Sequence, residues 1–446
     1  MGRGSRNQEA DRGPGVTRDR RAAAEILRAV SRGRRLDRAL EAAVSDLPDR
    51  ERRWAQEAAY GTIRLRGRMD HLLDIHLRKG LSSLSPLLLD LLRLGAYQLL
   101  YMDGVPSYAA VSQTVQQVRS LAGKGGAPLA NGVLRSLERE GGDLDRFPPF
   151  ETSPLEHLTT WGSHPPWLLR RWLGRWSPDQ VRSLVELNNA PAPVYFRPLG
   201  VEPGEARDRL REMGWEASLL GDGIPCLLLG SGTDPALLLQ EVPGIVQDPG
   251  AALVTLYAHP EAGIRLADLC AAPGGKALAL AHQGAYVLAA DPSLPRLRVL
   301  RENVERVGGR VWVVAARAQE PPVGECPMVL LDVPCSGTGT LRRHPDARWR
   351  LTPETLRELV DLQERILEGA APLVPAGGHL VYATCTLEEE ENEGQVRTFL
   401  ARHPEFHLKE TGAVPARYLD EMKRLRVLPQ ETGFDGAFAA RLERGS

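Results

Sequence analysis

From Val246 to the end of the chain, short apolar segments alternate with helical patterns, and this alternation restricts the fold more than any other feature of the sequence. Strands that alternate with helices pair into a parallel sheet that is covered by helices. Residues 246–446 are therefore predicted to be an α/β domain with a Rossmann-like sheet, closed by an antiparallel pair around the Gly433–Gly436 turn. The predicted strands are Arg265–Leu269, Ala285–Ala290, Val311–Ala315, Met328–Leu331, His379–Ala383, Arg426–Leu428 and Phe438–Leu442.

The N-terminal third has a different pattern. Ile26, Val30 and Leu36 belong to an apolar series at helical spacing, and no strand-like alternation accompanies it. Residues 21–145 are therefore predicted to be an all-helical domain. Residues 1–20 are rich in Arg, Gly and Asp and are predicted to be a disordered tail.

A third pattern separates these two regions. Val194–Arg197 has the character of a strand and Glu205–Met213 that of a helix, and further short strands follow. Residues 155–245 are therefore predicted to be a small α+β module, which makes the chain a multidomain protein.

The chain of 446 residues is too long for one ordinary core, so more than one domain is expected. Its hydrophobic content of 42% is typical of a soluble globular protein. The five cysteines are few and odd in number, which favours reduced thiols and a cytoplasmic location. The most apolar run, from Leu84 to Met102, is interrupted by Asp90 and Arg93. It is predicted to be a buried helix and not a membrane span.

The formal charge of −1 is unevenly distributed along the chain. Residues 1–145 contain 24 Lys and Arg against 18 Asp and Glu, a net charge of +6 that leaves −7 for the remainder. A basic domain suits a polyanion partner such as RNA, although arginine-rich helices with solvated faces give the same count. In the RNA-binding interpretation, Arg64, Arg66 and Arg68 would bind phosphates, and binding would weaken as salt rises.

A glycine turn follows the first predicted strand of the α/β domain. Asp268 ends that strand, and Pro273, Gly274 and Gly275 allow close approach of a ligand before the next helix begins. Asp291 ends the second strand, where an acidic side chain can accept both hydroxyls of a ribose. The turn lacks the patterns of pyrophosphate binders, so a nucleoside without phosphates is favoured, and S-adenosylmethionine fits.

Two cysteines follow two later strands, in the segments Asp332–Cys335 and Thr384–Cys385. Amino-methylating enzymes carry an aromatic residue at the position of Cys335, and a thiol there favours methylation of carbon. Carbon 5 of a pyrimidine becomes nucleophilic only after a nucleophile adds to carbon 6, and a thiolate adds and leaves readily. Asp332 can hydrogen-bond the ring nitrogen. Composition leaves open which cysteine attacks, and the other three, Cys226, Cys270 and Cys326, are expected to be inert.

Segments 268–276, 330–340 and 380–394 together resemble the NOL1/Nop2/Sun family of RNA 5-methylcytosine methyltransferases. In the N-terminal region, Pro106–Val111 and Asn131–Arg135 resemble a NusB-like helical domain. The combination is similar to the family members that act on small-subunit ribosomal RNA. The resemblance implies a NusB-like RNA-binding domain at 21–145 and an S-adenosylmethionine-dependent catalytic domain at 246–446.

The resemblance also implies individual roles. Cys385 would be the nucleophile, Cys335 would assist release of the methylated RNA, and Asp332 would contact the cytosine. The segment Arg342–Asp346 would lie near the RNA path, and Asp435–Phe438 would be the closing motif. The implied cofactor-binding residues are Cys270, Ala271, Ala272, Pro273, Gly274, Gly275, Lys276, Asp291 and Asp332.

The sequence departs from the family pattern at three places. The family usually has an Asp after the third strand, close to the adenine, whereas Ala315–Gln319 contains no acid. The adenine would then be held by main chain or by Gln319. Ala277 replaces a usual Thr, and Pro249-Gly250 replaces small polar residues.

Several alternatives remain open from the sequence. The acceptor could be the uracil ring, tRNA or another RNA in place of 16S ribosomal RNA, or the chain could bind RNA without catalysis. His344 is a candidate general base, although a lone histidine is more often structural. A monomer is the expectation for the oligomeric state.

Overall fold

The computed structural model describes residues 15–321 and 323–445. Its contacts divide the chain into two units. The first unit takes the described residues up to Ala190 and the segment His344–Arg350. The second takes Pro191–Arg343 and the described residues from Leu351 onward.

The first unit is helical, as predicted. Its centre is α5, in which every residue from Asp90 to Gln98 is buried. Pro86 at the first helical position and the Ser85 side chain, which accepts the Leu88 N–H at 3.4 Å, define where α5 begins. The helices are α1 (Arg18–Ser31), α2 (Leu36–Val44), α3 (Asp49–Arg64), α4 (Arg66–Ile75), α5 (Pro86–Tyr101), α6 (Ser107–Leu121), α7 (Gly126–Glu140), α8 (Pro154–Thr160), α9 (Pro166–Leu173) and α10 (Pro178–Asn189).

Two predicted boundaries require correction. Helix α1 begins at Arg18, inside the predicted tail, because its apolar face from Ala22 to Leu27 is buried; residues 1–14 of that tail lie outside the described residues. Helices α8–α10 were assigned to the α+β module but belong to the first unit. Ser163, between α8 and α9, explains why: its Oγ accepts the Gly67 N–H and donates to the Arg64 carbonyl, both at 2.8 Å.

The segment His344–Arg350, which includes α16 (Ala347–Arg350), packs within the first unit although it is distant in sequence. Trp349 Nε1 donates to the Ile63 carbonyl at 2.8 Å, and the Asp346 carboxylate accepts the Leu36 N–H at 3.2 Å. The Arg348 side chain is fully buried and donates to Asn189 Oδ1 at 2.8 Å. Burial lowers the pKa of Arg348 to about 9.

The second unit begins with the predicted α+β module, which starts at Pro191 instead of residue 155. Four short antiparallel strands form a sheet in the order β2-β3-β1-β4, with Phe196 and Leu227 in its core. The elements are β1 (Tyr195–Pro198), α11 (Pro203–Glu212), β2 (Ala217–Leu219), β3 (Leu227–Leu229), α12 (Pro235–Glu241) and β4 (Gly244–Val246).

The larger sheet has eight strands in the order β10-β12-β9-β8-β5-β6-β7, with β11 paired to β12. The first five of the seven predicted strands pair in parallel, and the last two pair antiparallel, as the sequence indicated. The elements are α13 (Pro249–Ala258), β5 (Arg265–Asp268), α14 (Gly275–His282), β6 (Tyr286–Asp291), α15 (Leu294–Val307), β7 (Val311–Ala315), β8 (Met328–Asp332), α17 (Pro353–Ala370), β9 (His379–Thr384), α18 (Glu393–Arg402), β10 (Phe406–Leu408), β11 (Leu425–Val427), α19 (Pro429–Thr432) and β12 (Ala437–Arg444).

The strand order changes direction at β5, which has β6 on one side and β8 on the other. Ligands bind beyond the carboxyl ends of strands at such a switch point. Asp268, Asp291 and Asp332 end three of these strands, and Cys385 follows the fourth. The topology therefore brings the predicted site residues to one edge of the sheet.

Among the described residues, no helix combines the length and the apolarity that a membrane span needs.

Candidate active site

The turn after β5 needs glycine at one position. Gly274 has a φ of +106°, and a Cβ there would lie 2.9 Å from Leu300 Cγ. The Gly274 N–H donates to the Ala271 carbonyl at 2.8 Å, and the Ala272–Pro273 peptide is cis. Helix α14 begins directly afterwards, at Gly275, so the turn leads into a helix N-terminus, with Pro273 exposed and Gly274 buried.

Asp268, at the end of β5, is completely buried. Its Oδ1 accepts the Cys270 N–H at 3.3 Å, while its Oδ2 has no hydrogen-bond partner. Burial, reinforced by the charge of Asp332, raises the pKa of Asp268 to about 7. A buried carboxyl with an unpaired oxygen at this position suits a cationic group of a ligand.

Asp291 is engaged on both oxygens. Its Oδ1 accepts the Ser293 N–H at 2.9 Å, and its Oδ2 pairs with Arg296 Nη1 at 3.1 Å. Arg296 also donates to the Ala272 carbonyl. A ribose that used Asp291 would share this carboxylate with a largely exposed arginine, so the ribose-binding role of Asp291 stays a prediction.

Lys276, in the first turn of α14, forms an ion pair with Asp332 at the end of β8. Its Nζ lies 2.7 Å from Asp332 Oδ2. Burial acts to lower the pKa of Lys276, but the Asp332 carboxylate and, to a smaller extent, Cys385 raise it above its ordinary value. The ammonium group therefore interacts electrostatically with both the carboxylate and one of the two cysteines.

The structure brings Cys335 and Cys385 together, with their Sγ atoms 3.4 Å apart. The Cys385 N–H points at the Cys335 sulfur, also at 3.4 Å, and the Gly339 N–H donates to the Cys385 carbonyl at 3.1 Å. The hydrogen bond to Cys385 and burial raise the pKa of Cys335 well above its ordinary value. The pair is therefore built so that a negative charge is not shared equally between the two sulfurs.

The other cysteines have different surroundings. Cys226 and Cys326 are buried, and burial raises the pKa of Cys226 to about 12. Burial and the charge of Asp268 also raise the pKa of Cys270, in the cofactor turn. Thiols whose ionisation is suppressed are poor nucleophiles, in agreement with the inert roles expected for these three.

The arginines expected near the RNA path have internal partners. Arg342 donates to the Pro191 carbonyl at 2.6 Å. Arg343 lies between Asp248 and Asp435, at 2.7 Å from each carboxylate. The sequence interpretation placed these groups toward RNA, whereas the structure uses them to hold the module and the closing motif, because half-buried carboxylates need a cation.

The contacts of Arg66 and Arg68 in α4 do not support the phosphate-binding prediction made for them; for Arg64 of α3, whose Nε has no hydrogen-bond partner, it stays a prediction. The Arg68 guanidinium lies 3.7 Å from the centre of the Trp161 ring, and its Nε donates to the Trp161 carbonyl. Arg66 lies over Trp349 at 4.9 Å. Exposed basic side chains of the first unit include Arg32, Arg34 and Arg35, in the turn between α1 and α2.

Sequence reasoning missed Glu391. It belongs to the run Glu388–Glu391, whose charge predicts a solvated surface, yet Glu388 and Glu391 are fully buried. Ser336, next to Cys335, donates its N–H to Glu391 Oε1 at 2.8 Å. The sequence carried one signal, the position of this carboxylate six residues after Cys385.

Comparisons with known proteins identify the family to which the chain is related. The family model described as 16S rRNA methyltransferase RsmB/F matches residues 255–443, and the NusB family model matches residues 17–139. The ribosomal RNA small subunit methyltransferase B of Vibrio cholerae is 32% identical over 95% of this chain and 96% of that protein.

Two further proteins extend the comparison. The probable ribosomal RNA small subunit methyltransferase B of Bacillus subtilis is 30% identical over 90% of this chain and 92% of that protein. The crystal structure of PH0851 has a TM-score of 0.79 and 25% sequence identity, and the match covers 97% of this chain and all of that one. With an α/β sheet, a NusB domain and similarity along nearly its whole length, the chain belongs to the RsmB/F family of 16S rRNA methyltransferases.

Proposed function

We propose that this protein transfers a methyl group from S-adenosylmethionine to carbon 5 of a cytosine in small-subunit ribosomal RNA, through a covalent adduct with Cys385. The observation that carries the proposal is the cysteine pair, with its sulfurs 3.4 Å apart, beside the Lys276–Asp332 ion pair. A second thiol next to a nucleophilic thiol is a feature for which amino methylation has no use.

The residues of the glycine turn fit S-adenosylmethionine. The unpaired Oδ2 of Asp268 is a partner for the positive charge of the amino acid portion, and the Gly274 turn leads into the N-terminus of α14. Asp291 ends the neighbouring strand, where a ribose would lie. When bound, S-adenosylmethionine supplies an electrophilic methyl group on a positively charged sulfur.

Cys385 would start the reaction by adding to carbon 6 of the ring as a thiolate. The electron pair of the C5–C6 double bond then moves to carbon 5, and ring nitrogen 3 takes a proton. The Lys276–Asp332 pair is positioned to hold that proton, because the ammonium supplies it and the carboxylate relays it. The positive charge of Lys276 also interacts with Cys385, the sulfur that attacks carbon 6.

Cys335 would act in the last step. Once carbon 5 has been methylated, loss of its proton to water restores the C5–C6 double bond and expels Cys385 from carbon 6 as a thiolate, and ring nitrogen 3 returns its proton to the Lys276–Asp332 pair. The departing sulfur regains its negative charge 3.4 Å from Cys335, whose thiol can donate a hydrogen bond to it. A protein without that thiol should release its product slowly.

The target base must leave its stack to reach the cysteines. Extruding a base costs a few kcal/mol, least where the base is already unpaired. Sequence-specific RNA recognition favours loops and single strands for the same reason. The substrate is therefore expected to be a loop or unpaired cytosine.

The test is transfer of a labelled methyl group from S-adenosylmethionine to unmodified small-subunit ribosomal RNA. Mass spectrometry identifies the nucleoside, and bisulfite sequencing gives its position. We expect 5-methylcytosine at one site, no product from Cys385→Ala, and a stable protein–RNA adduct from Cys335→Ala. Cys326→Ala, at a cysteine outside the pair, should behave as wild type.

The outcomes separate the alternatives. A Cys335→Ala variant that turns over normally would contradict the division of labour between the cysteines. Methylation of tRNA but not of ribosomal RNA would identify tRNA as the acceptor. Formation of 5-methyluracil would identify uracil as the target base. Absence of S-adenosylmethionine binding would favour an RNA-binding protein without catalysis.

A further inference from the structure

The buried carboxylate of Glu391 connects the two segments that carry the cysteines. Glu391 lies in a single helical turn, Glu389–Glu391, which follows Cys385 in the chain. On the other side, Ser336 follows Cys335 directly and donates twice: its N–H to Glu391 Oε1 at 2.8 Å and its Oγ to Glu391 Oε2. The carboxylate therefore holds the Cys335 segment from the Cys385 side.

Two further side chains hold Glu391 in place, one at its carboxylate and one at its main-chain carbonyl. Gln363 of α17 donates its Nε2 to Glu391 Oε1 and to the Pro334 carbonyl, both at 2.9 Å. The Tyr382 hydroxyl donates to the Glu391 carbonyl at 2.6 Å. Glu391, Gln363 and Tyr382 are all completely buried, so water cannot substitute for these hydrogen bonds.

The charges around the cysteine pair are asymmetric. Burial raises the pKa of Glu391, whereas hydrogen bonds from the neutral donors Ser336 and Gln363 favour its carboxylate form, whose negative charge acts on the nearby thiol. The pKa of Cys335 is raised first by the hydrogen bond to Cys385 and by burial, and further by the charges of Cys385 and Glu391. Lys276 faces Cys385 with the opposite sign.

We propose that Glu391 is a positioning residue for the cysteine pair: its carboxylate fixes the Cys335 segment beside Cys385 and keeps Cys335 as a neutral thiol while Cys385 carries the negative charge. The inference rests on the proposed function in one respect, the assignment of Cys385 as the nucleophile. It identifies Glu391 as the group that makes the ionisation of the two adjacent thiols unequal. Both the addition and the elimination step of the proposed reaction require that difference.

The groups that face Cys335 are few. Cys385 follows β9, Glu391 lies in the helical turn after it, and Tyr382 lies within β9. The pKa of the Tyr382 phenol is raised first by burial, then by the charge of Glu391 and by that of Cys335. Of these, only Glu391 is an acid whose ordinary pKa is below neutrality. Removing the charge of Glu391 should therefore change the ionisation of Cys335 directly.

The test compares Glu391→Gln, which keeps the shape and removes the charge, with Ser336→Ala, which loosens the segment and keeps the charge. Glu389→Gln is the matched control, because Glu389 is exposed in the same turn. The pH dependence of Cys335 alkylation by iodoacetamide is followed by peptide mass spectrometry, with Cys385→Ser in every variant to remove the competing thiol. Circular dichroism verifies that each variant is folded.

We expect Glu391→Gln to move the midpoint of Cys335 alkylation to lower pH by about one unit. Ser336→Ala and Glu389→Gln should leave the midpoint in place. With Cys385 restored, Glu391→Gln should lower methyl transfer by about 10- to 100-fold and increase the trapped adduct, without a change in S-adenosylmethionine affinity.

Three results would overturn the inference. They are an unchanged midpoint in Glu391→Gln, an equal shift in Ser336→Ala, and normal turnover with normal adduct levels. The alkylation profile requires no RNA, so it reports on Glu391 even if the proposed methylation reaction fails its own test.

Discussion

Lys276 Nζ lies 2.7 Å from Asp332 Oδ2, and the two residues, one in the first turn of α14 and the other at the end of β8, are 56 residues apart in the chain. Neither side chain is more than about a third exposed. Two charges in this setting compensate each other, and removal of one partner leaves the other uncompensated. The pair therefore has a structural role that can be separated from its chemical one.

Asp332→Asn is expected to destabilise the protein by about 2 to 3 kcal/mol, because it leaves the Lys276 ammonium without its partner. The double variant Lys276→Met/Asp332→Asn should recover much of that loss, since an apolar side chain tolerates burial. Urea unfolding measures both effects. Methyl transfer should be abolished in both variants, and recovery of activity together with stability would contradict the proposed proton-holding role.

The sequence predicted this edge of the sheet well, because the information was local. Apolar segments gave the strands, and the glycine turn gave the start of α14. It predicted less where distant segments decide: α8–α10 contain ordinary helical patterns, and contacts with distant residues, such as those of Ser163, reveal the unit to which they belong. The strand β10 has three residues, too few for a periodic pattern.

The same limit applies to the site. Cys335 and Cys385 were recognisable because each follows a strand, and parallel strands end at one edge. Glu391 was not recognisable, since four consecutive glutamates predict a solvated surface. Its burial arises from contacts with Ser336, Gln363 and Tyr382, which are distant or not apparent in the sequence pattern. Arg343 was assigned to the RNA path by the family resemblance, and its partners Asp248 and Asp435 could not be foreseen because they are far from it in sequence.

The affinity for S-adenosylmethionine should depend on the ionisation of Asp268. Its pKa is raised to about 7, mainly by burial, so the carboxyl is protonated and neutral below that pH and attracts a cationic ligand only above it. Calorimetry at pH 6.0 and pH 7.5 should show affinity increasing with pH by roughly fivefold to tenfold. Asp268→Asn should bind weakly with the pH dependence removed; an equal pH dependence in that variant would assign the titration to another group.

Gly274→Ala should impair cofactor binding. The residue has a φ of +106°, and a Cβ would lie 2.9 Å from Leu300 Cγ, so backbone strain and a steric conflict coincide. Gly263→Ala is the matched control, with a φ of +85° and open space around the added carbon. Thermal unfolding should show a small loss in both variants, and calorimetry should show weakened S-adenosylmethionine binding only in Gly274→Ala. Equal binding by the two variants would argue against a role for the turn.

Gly339→Ala should separate the two cysteine segments. A Cβ there would lie 2.7 Å from the Cys385 carbonyl oxygen and 2.7 Å from Gly436 Cα, both backbone atoms that cannot rotate away. Displacement of a reacting group by about 1 Å lowers rates about 100-fold, so methyl transfer should fall by that order while S-adenosylmethionine affinity is retained. Gly324→Ala, where an added carbon meets nothing within 4 Å, is the control. Loss of cofactor binding in Gly339→Ala would indicate a wider disruption of the sheet.

The exposed arginines between α1 and α2 should contribute to RNA affinity through phosphate contacts. Arg32 and Arg34 are exposed in the basic first unit, whereas the guanidinium groups of Arg66 and Arg68 pack against tryptophan rings. Each phosphate contact contributes about 0.7 to the slope of log affinity against log salt for a single strand. Arg32→Gln/Arg34→Gln should therefore weaken binding and reduce that slope by about 1.4, measured by fluorescence anisotropy between low and high salt.

Arg298→Gln/Arg301→Gln removes the same charge from an exposed face of α15 and serves as the comparison. If electrostatics acts only through net charge, both double variants should lose affinity equally. If the turn between α1 and α2 contacts phosphates, only the first should change the slope, because counterions are released only where the protein touches the RNA backbone. A slope that neither variant changes would exclude this turn from the RNA path.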